Sequence, residues 1–435
     1  MRALAGRRAA LLMPNGSAFL VALTASEGRG AVLINPMSAS LEIAYQIADA
    51  NVGAVFTTTA LATRLPPGMT HVLMDDAPRH ACVVAGGEHR DADLGAHFGL
   101  QLEGDPDAAG SEEEAAIVYT SAMAGRPLGA VLTHRALLHN ARATIAATAM
   151  RPDDHMLAVL PFAHLFGLTV TLIAPLLAGA RVEPVERFQP TRVAHRLRSG
   201  EITIFAGVPA IYVAVLAALE REAAATLPAT LRLCICGGAP LDPGLQARWE
   251  ERTGIPLRQG YGLTEAGPVS LFNRPSMANR RGSLGQAFPG VGVSIRDPQH
   301  AGSLPCGAVG EICVAGDSLF STYLGNSTEG LTVRDGWLHT GDLGTMDDAG
   351  FVTFRGVRKP MFTRNGFNIY PVEIEQAVAE LERVTSARVV PVPSEEHDND
   401  IHLLVTGSAT AEEIAQWCEQ RLSSYKQPSE IRIEP

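Results

Sequence analysis

The stretch Ala115-Ala116-Ile117-Val118-Tyr119-Thr120-Ser121-Ala122-Met123-Ala124-Gly125-Arg126-Pro127-Leu128-Gly129-Ala130-Val131-Leu132-Thr133-His134 holds the plan of the chain in miniature. Two apolar runs, 115–119 and 130–132, read as buried strands. Between them lies a loop of hydroxyls and glycines, whose exposed backbone amides suit phosphate oxygens. Thr133 stands where a helix N-cap belongs, so 134–150 is expected as a helix.

The same alternation extends outward. Residues 31–36 read as a strand stopped by Pro36, 41–50 as a helix and 52–57 as the next strand, which implies a parallel sheet covered by helices. From 66 to 114 the chain is richer in Gly, Asp, His and Pro and its periodicity fades. Glu112-Glu113-Glu114 reads there as a solvated face or loop. Residues 231–236 form a strand ending in Gly237-Gly238, and Gln259-Gly260-Tyr261-Gly262 sits at a later strand end. Between 282 and 354 the strands become short and Gly-punctuated, as in a small barrel or sandwich.

Pro371 then suits a helix start, with Ile374, Ala377, Val378 and Leu381 as its apolar stripe. Residues 389–390 and 403–405 read as strands, and Ile414, Trp417, Cys418 and Leu422 make a second stripe. The expected fold is α/β. A large N-terminal domain of helix-covered sheets (1–356) carries a small β-barrel-like part, and a small C-terminal α+β domain (361–435) follows a hinge near 357–360.

Composition narrows the function classes. The 435 residues suggest roughly two to three domains. With 46% hydrophobic and 19% charged residues, the chain is globular rather than disordered. Its net charge of −11 argues against binding nucleic acid by broad electrostatics. Six cysteines without a CxxC pair make no disulfide framework, so a reducing, cytoplasmic setting is the default, with Cys234 and Cys236 as buried thiols sharing one strand face. The basic start followed by an apolar run imitates a signal peptide, but Pro14-Asn15-Gly16 breaks it, and a strand ending in a turn is expected. From Met156 to Ala180 no Asp, Glu, Lys or Arg occurs. That is long enough to span a bilayer, but Pro161, Gly167 and Pro175 interrupt it, so a buried turn and helix are expected rather than a transmembrane segment.

Four Gly-rich segments fall where strands meet turns: the 119–130 loop, Gly237-Gly238-Ala239-Pro240-Leu241, Gly260-Tyr261-Gly262-Leu263-Thr264-Glu265 and His339-Thr340-Gly341-Asp342. Small residues at the second would let a flat ring lie on the backbone. A hydroxyl beside a carboxylate at the third can serve a phosphate and its Mg²⁺ together. The acidic side chain of the fourth suits a ribose diol. Each alone also reads as an ordinary loop.

In this order, and joined by Pro161-Phe162-Ala163-His164-Leu165-Phe166-Gly167 and Asn365-Gly366-Phe367-Asn368-Ile369-Tyr370-Pro371-Val372-Glu373-Ile374-Glu375, the segments resemble the adenylate-forming superfamily, truncated at both ends and closest to its fatty-acyl or aryl-CoA ligases. The resemblance implies two half-reactions. A carboxylate attacks the α-phosphate of ATP, and the thiol of coenzyme A then displaces AMP. It implies a nucleotide site at Thr120, Ser121, Gly125, Gly238, Ala239, Pro240, Tyr261, Gly262, Thr264 and Asp342, with Glu265 holding Mg²⁺. Thr264, Glu265 and His164 would be catalytic, and Phe162, His164, Gly167, Gly207, Pro209 and Gly237 would line the acyl pocket. The implied partners are a hydrophobic carboxylic acid, ATP and coenzyme A, with a carrier protein as another possible acceptor and no nucleic acid.

Three departures stand against that pattern. The phosphate loop has Ala122, Met123 and Ala124 where the family has Gly, Thr and Thr, and Leu128 where it has Lys, while Arg126 offers a displaced charge. At the hinge, Val357 occupies the usual arginine position and Pro360 the hinge itself, where a fixed φ is expected to hinder rotation of the small domain. The family's late catalytic lysine would fall beyond Pro435, and Lys426 matches a different position. These departures lead to the expectation of weakened adenylation. They also keep open a repurposed nucleotide-binding homologue, or an enzyme that passes its acyl group to a carrier protein or another nucleophile.

Overall fold

The computed structural model describes residues 7–26, 30–75, 80–93, 113–120, 126–221, 226–300, 302–328, 330–358, 361–394 and 396–434. Ser121 and Gly125 of the phosphate loop, the substitutions at 122–124, and Pro360 at the hinge therefore lie outside the described residues, as does Glu112.

Two large sheets pack around one apolar core. The nine-stranded sheet runs in the order Thr322–Tyr323, Leu128–Thr133, Glu114–Thr120, Ala31–Leu33, Arg8–Leu12, Val52–Thr57, His71–Leu73, His80–Ala85, Glu88–Asp93. Its centre is parallel, as the strand–helix alternation implies, while both flanks are antiparallel. Short connections return the chain antiparallel at Leu128–Thr133, His80–Ala85 and Glu88–Asp93, while Thr322–Tyr323 joins the edge from far along the chain. One such hairpin, His80–Ala85 with Glu88–Asp93, occupies the stretch of faded periodicity. It turns at Gly86-Gly87, both at positive φ (60° and 84°), which the tight two-residue turn of a hairpin demands. Glu114 is likewise no loop residue, although its side chain stays part-exposed. It lies in a strand and receives Arg8 on both carboxylate oxygens, at 2.9 and 2.7 Å.

The seven-stranded sheet runs Arg181–Pro184, His155–Ala158, Ile204–Gly207, Leu233–Cys236, Leu257–Gly262, Val269–Phe272, Gln286–Ala287, and its first five strands are parallel. Ile204–Gly207 and Leu233–Cys236 are buried along their whole length, including Cys234 and Cys236, as expected of strands covered on both faces. The capping expectation also holds: the Thr133 hydroxyl accepts the Ala136 N–H, and helix His134–Thr148 follows. The uncharged stretch becomes the strand His155–Ala158, a turn and a π-helix, Phe166–Ile173, running into Ala174–Leu177. Among the described residues no helix is long and apolar enough to cross a membrane.

The Gly-punctuated region is a five-stranded antiparallel sheet built from Gly292–Arg296, Gly310–Ala315, Thr332–Arg334, Trp337–Met346 and Val352–Val357. After it, residues 361–434 gather their own core around Ile369, Ile374, Leu403 and Ile414. The long strands Val384–Ser394 and Asp398–Gly407 pair there, with Glu430–Glu434 beside them. Helix Pro371–Ala379 begins at its proline, and Ala411–Arg421 opens on a Thr410/Glu413 capping box.

Candidate active site

The parallel strands of the second sheet deliver their C-terminal turns to one place, which is where open α/β sheets bind ligands. Strand Leu233–Cys236 ends in Gly237-Gly238-Ala239-Pro240, and Leu257–Gly262 runs into a short 3₁₀ turn, Thr264–Ala266. The ten-residue strand Trp337–Met346 brings Asp342 from the antiparallel sheet. All of these line one cavity with Thr120 and His164. Gly238 sits at φ 80°, where a side chain is strained, and a Cβ there would crowd Val208 at 3.2 Å.

The two carboxylates of the site are each held by a tyrosine. Glu265 is buried and its Oε1 accepts the Tyr323 hydroxyl at 2.6 Å. Asp342 Oδ2 accepts the Tyr261 hydroxyl at 2.6 Å. Burial raises the Glu265 pKa and, with the nearby Glu311 carboxylate, pushes that of Asp342 up to about 6; the phenols only partly offset the loss of water. A buried carboxylate short of positive charge beside a threonine hydroxyl is a fitting donor for Mg²⁺, which takes one or two carboxylates and fills its shell with phosphate oxygens and water.

His164 opens into the cavity lumen but lies deep in the protein, and desolvation lowers its pKa. Its Nδ1 accepts the Phe166 N–H at 3.3 Å. The proton of the neutral ring therefore sits on Nε2, available to a carboxylate oxygen. Thr120 ends its strand with Oγ1 donating to the Leu128 carbonyl at 3.4 Å.

Of the expected acyl-pocket residues, the cavity lining includes His164 and Gly237 but not Phe162, Gly167, Gly207 or Pro209. Phe162 packs on Phe19, with ring centroids 5.5 Å apart. Gly167 presses on the Pro161 carbonyl, Gly207 lies under Ile211, and Pro209 opens the helix Pro209–Glu220. The apolar wall is instead formed by residues such as Phe166, Val170, Ile235 and Val269.

Other wall residues were not singled out from the sequence. Tyr323 comes from an edge strand, which its pairing with Leu128–Thr133 and a Phe320 N–H bond to the Glu265 carbonyl at 2.9 Å bring to Glu265. Gly366, Phe367, Asn368, Tyr370, Tyr425 and Lys426 enter from the small C-terminal unit. Behind the Asp342 turn, buried Glu311 accepts the Gly341 N–H at 2.9 Å, Arg358 Nη1 at 3.1 Å and His339 Nδ1 at 2.9 Å. Arg358, next to Val357, is thus tied to the strand that carries Asp342.

Comparison with known proteins agrees with this geometry. The family model described as AMP-binding enzyme matches residues 3–324, and that of the AMP-binding enzyme C-terminal domain matches 373–434. A feruloyl-CoA synthase of Amycolatopsis sp is 31% identical over 98% of this chain and 85% of its own length. A long-chain-fatty-acid–CoA ligase of Yersinia pestis is 28% identical over 98% and 82%. Among solved structures, a malonyl-CoA ligase with methylmalonyl-CoA and AMP bound superposes with a TM-score of 0.82 at 26% identity, covering all of this chain and 91% of the other.

Proposed function

The chain belongs to the AMP-binding enzyme family, and from that membership we propose that it activates a hydrophobic carboxylic acid with ATP and transfers the acyl group to coenzyme A. One observation carries the reading: Thr264, Glu265, Asp342, the 237–240 turn and His164, drawn from four separate segments, line a single cavity.

In the first half-reaction a carboxylate oxygen of the acid bonds to the α-phosphorus, and the bond to the bridging oxygen of pyrophosphate breaks. In the second, the thiol sulfur bonds to the acyl carbon, AMP leaves with the former carboxylate oxygen, and the thiol proton is lost. Such transfers rest on positioning and charge stabilisation. We assign Asp342 to the ribose hydroxyls, Gly238-Ala239-Pro240 and Tyr261 to the adenine, and Thr264 to the α-phosphate. His164, donating from Nε2, orients the acid. Glu265 would hold Mg²⁺, which neutralises phosphate charge when bound. The division into 1–356 and 361–435, joined near 357–360, belongs to the same reading. The buried cysteines, Cys234, Cys236, Cys313 and Cys418, are thiols, which supports a cytoplasmic setting where ATP and coenzyme A are available.

The test is ATP–pyrophosphate exchange against a panel of aryl and fatty acids, followed by mass detection of the thioester. Acid-dependent exchange with thioester formation is the expected result. Exchange without thioester would shift the acceptor to a carrier protein or another nucleophile. No exchange with any acid would overturn the reading.

A further inference from the structure

One buried cluster of charge takes no part in the steps above. Lys426 donates Nζ to Glu373 Oε1 at 2.6 Å and to Glu42 Oε1 at 2.9 Å. Glu42 Oε2 accepts the Ser423 hydroxyl and the backbone N–H of Ala39, the latter at 2.9 Å. All four of these side chains, those of Glu42, Glu373, Ser423 and Lys426, are buried. Glu42 lies on helix Ser40–Asp49 of the large unit, whereas Glu373, Ser423 and Lys426 belong to the small one. An ammonium from one unit is therefore clamped between a carboxylate of each. Burial by itself would lower the lysine's pKa, but Tyr425, Glu373 and Glu42 outweigh it and raise the value, so the charge stays.

What this clamp holds is part of the cavity wall. Tyr425, next in the chain, stacks on Phe367 with centroids 4.1 Å apart and planes at 15°. Beside Phe367, Gly366 lies so close to Val208 of the large unit that a Cβ would come within 2.7 Å. Phe367 and Tyr425 both face the cavity that holds Thr264 and Asp342. A buried ion cluster suits such a task because removing one member strands the others without water, which makes the arrangement nearly all-or-none.

We propose that Glu42, Lys426 and Glu373 form a latch that seats the small unit on the large one and thereby positions Phe367 and Tyr425 in the wall of the cavity. They are positioning residues. The kinetic consequence rests on the proposed function: the latched wall shapes the approach of the thiol, so the second half-reaction depends on it more than the first.

The test compares K426M, E42Q and the double variant in the full chain. Hydrogen exchange should rise roughly tenfold at 40–49 and 362–370 while strands Val384–Ser394 and Asp398–Gly407 stay protected. The KM for coenzyme A should rise roughly tenfold, with those for ATP and acid moving less than about threefold. The double variant should resemble either single one, since each breaks the same cluster. Unchanged exchange at both segments, additive effects, or loss of protection throughout the small unit would each overturn the latch. If the wild type forms no thioester, the functional reading falls, and the exchange pattern alone still decides the latch.

Discussion

Tyr261 donates its phenolic hydroxyl to Asp342 at 2.6 Å, joining the end of a parallel strand to the middle of an antiparallel one 81 residues away. The bond ties the residue we assign to adenine to the carboxylate we assign to the ribose, and it is the main relief for a carboxyl whose burial drives its pKa to about 6.

If Asp342 takes the ribose as proposed, that pKa predicts a pH-dependent nucleotide affinity. Folding raises the value from about 3.9 in the open chain. Between the two values the native state keeps a proton that the unfolded state has released. The contribution of this group to stability therefore falls as pH rises through that window, and stays lost above it. AMP affinity, which on the proposed assignment uses the carboxylate, should decline as pH drops below about 6. D342N should bind AMP roughly ten- to a hundredfold more weakly, show no such pH dependence, and melt at a higher temperature near neutral pH. Titration calorimetry and thermal unfolding across the range check all three. A wild-type affinity indifferent to pH would contradict the assignment.

Glu265 is likewise buried, and the loss of water raises its pKa. E265Q should lower ATP–pyrophosphate exchange by roughly 10²–10³ and keep or raise the melting temperature, because the substitution removes a desolvated charge. Y323F, which only removes the hydroxyl supporting Glu265, should have a smaller effect on exchange. A melting temperature that fell sharply in E265Q would mean that the carboxylate is structural.

Desolvation lowers the His164 pKa, which favours the neutral ring. H164A should raise the KM for the acid by roughly tenfold or more and leave the KM for ATP nearly unchanged. Steady-state kinetics with each substrate varied in turn separate the two effects.

A stability test lies away from the site. Asp154 is buried and bound by Arg232 Nε and Thr203 Oγ1, both at 2.8 Å. Burial raises its pKa, but these partners outweigh it and the net shift is downward. Its contribution is therefore present above the unfolded pKa and lost as pH falls through the lower, native one. D154A leaves Arg232 without its carboxylate and should cost about 3 kcal/mol, read by urea denaturation at neutral pH, with the difference from wild type shrinking in acid.

Much of the frame was legible along the chain because it is local. Thr133 caps its helix through a bond to Ala136, three residues on, and Pro371 starts a helix because its missing N–H costs nothing there. The four segments could be picked out because glycines and small or polar residues cluster within a few positions, although 339–342 lies inside the strand Trp337–Met346 rather than at its end. The hairpin at 80–93 was also written locally, in Gly86-Gly87, but the mixed polarity around it masked that signal.

What the chain order could not show is which side chains meet across long separations. Nothing near Glu265 announces Tyr323, and nothing near Glu42 announces Lys426, 384 residues away. Likewise Phe162 and Gly167 sit in the motif beside His164, yet packing turns them into the core. Sequence alone determined the elements, their caps and the chemistry available at each turn, since these depend on neighbours a few bonds apart. The tertiary structure decided which of those groups share a cavity, which carboxylates lose their water there, and which charges are clamped between the two units, because burial and pairing depend on distances that only the closed fold sets.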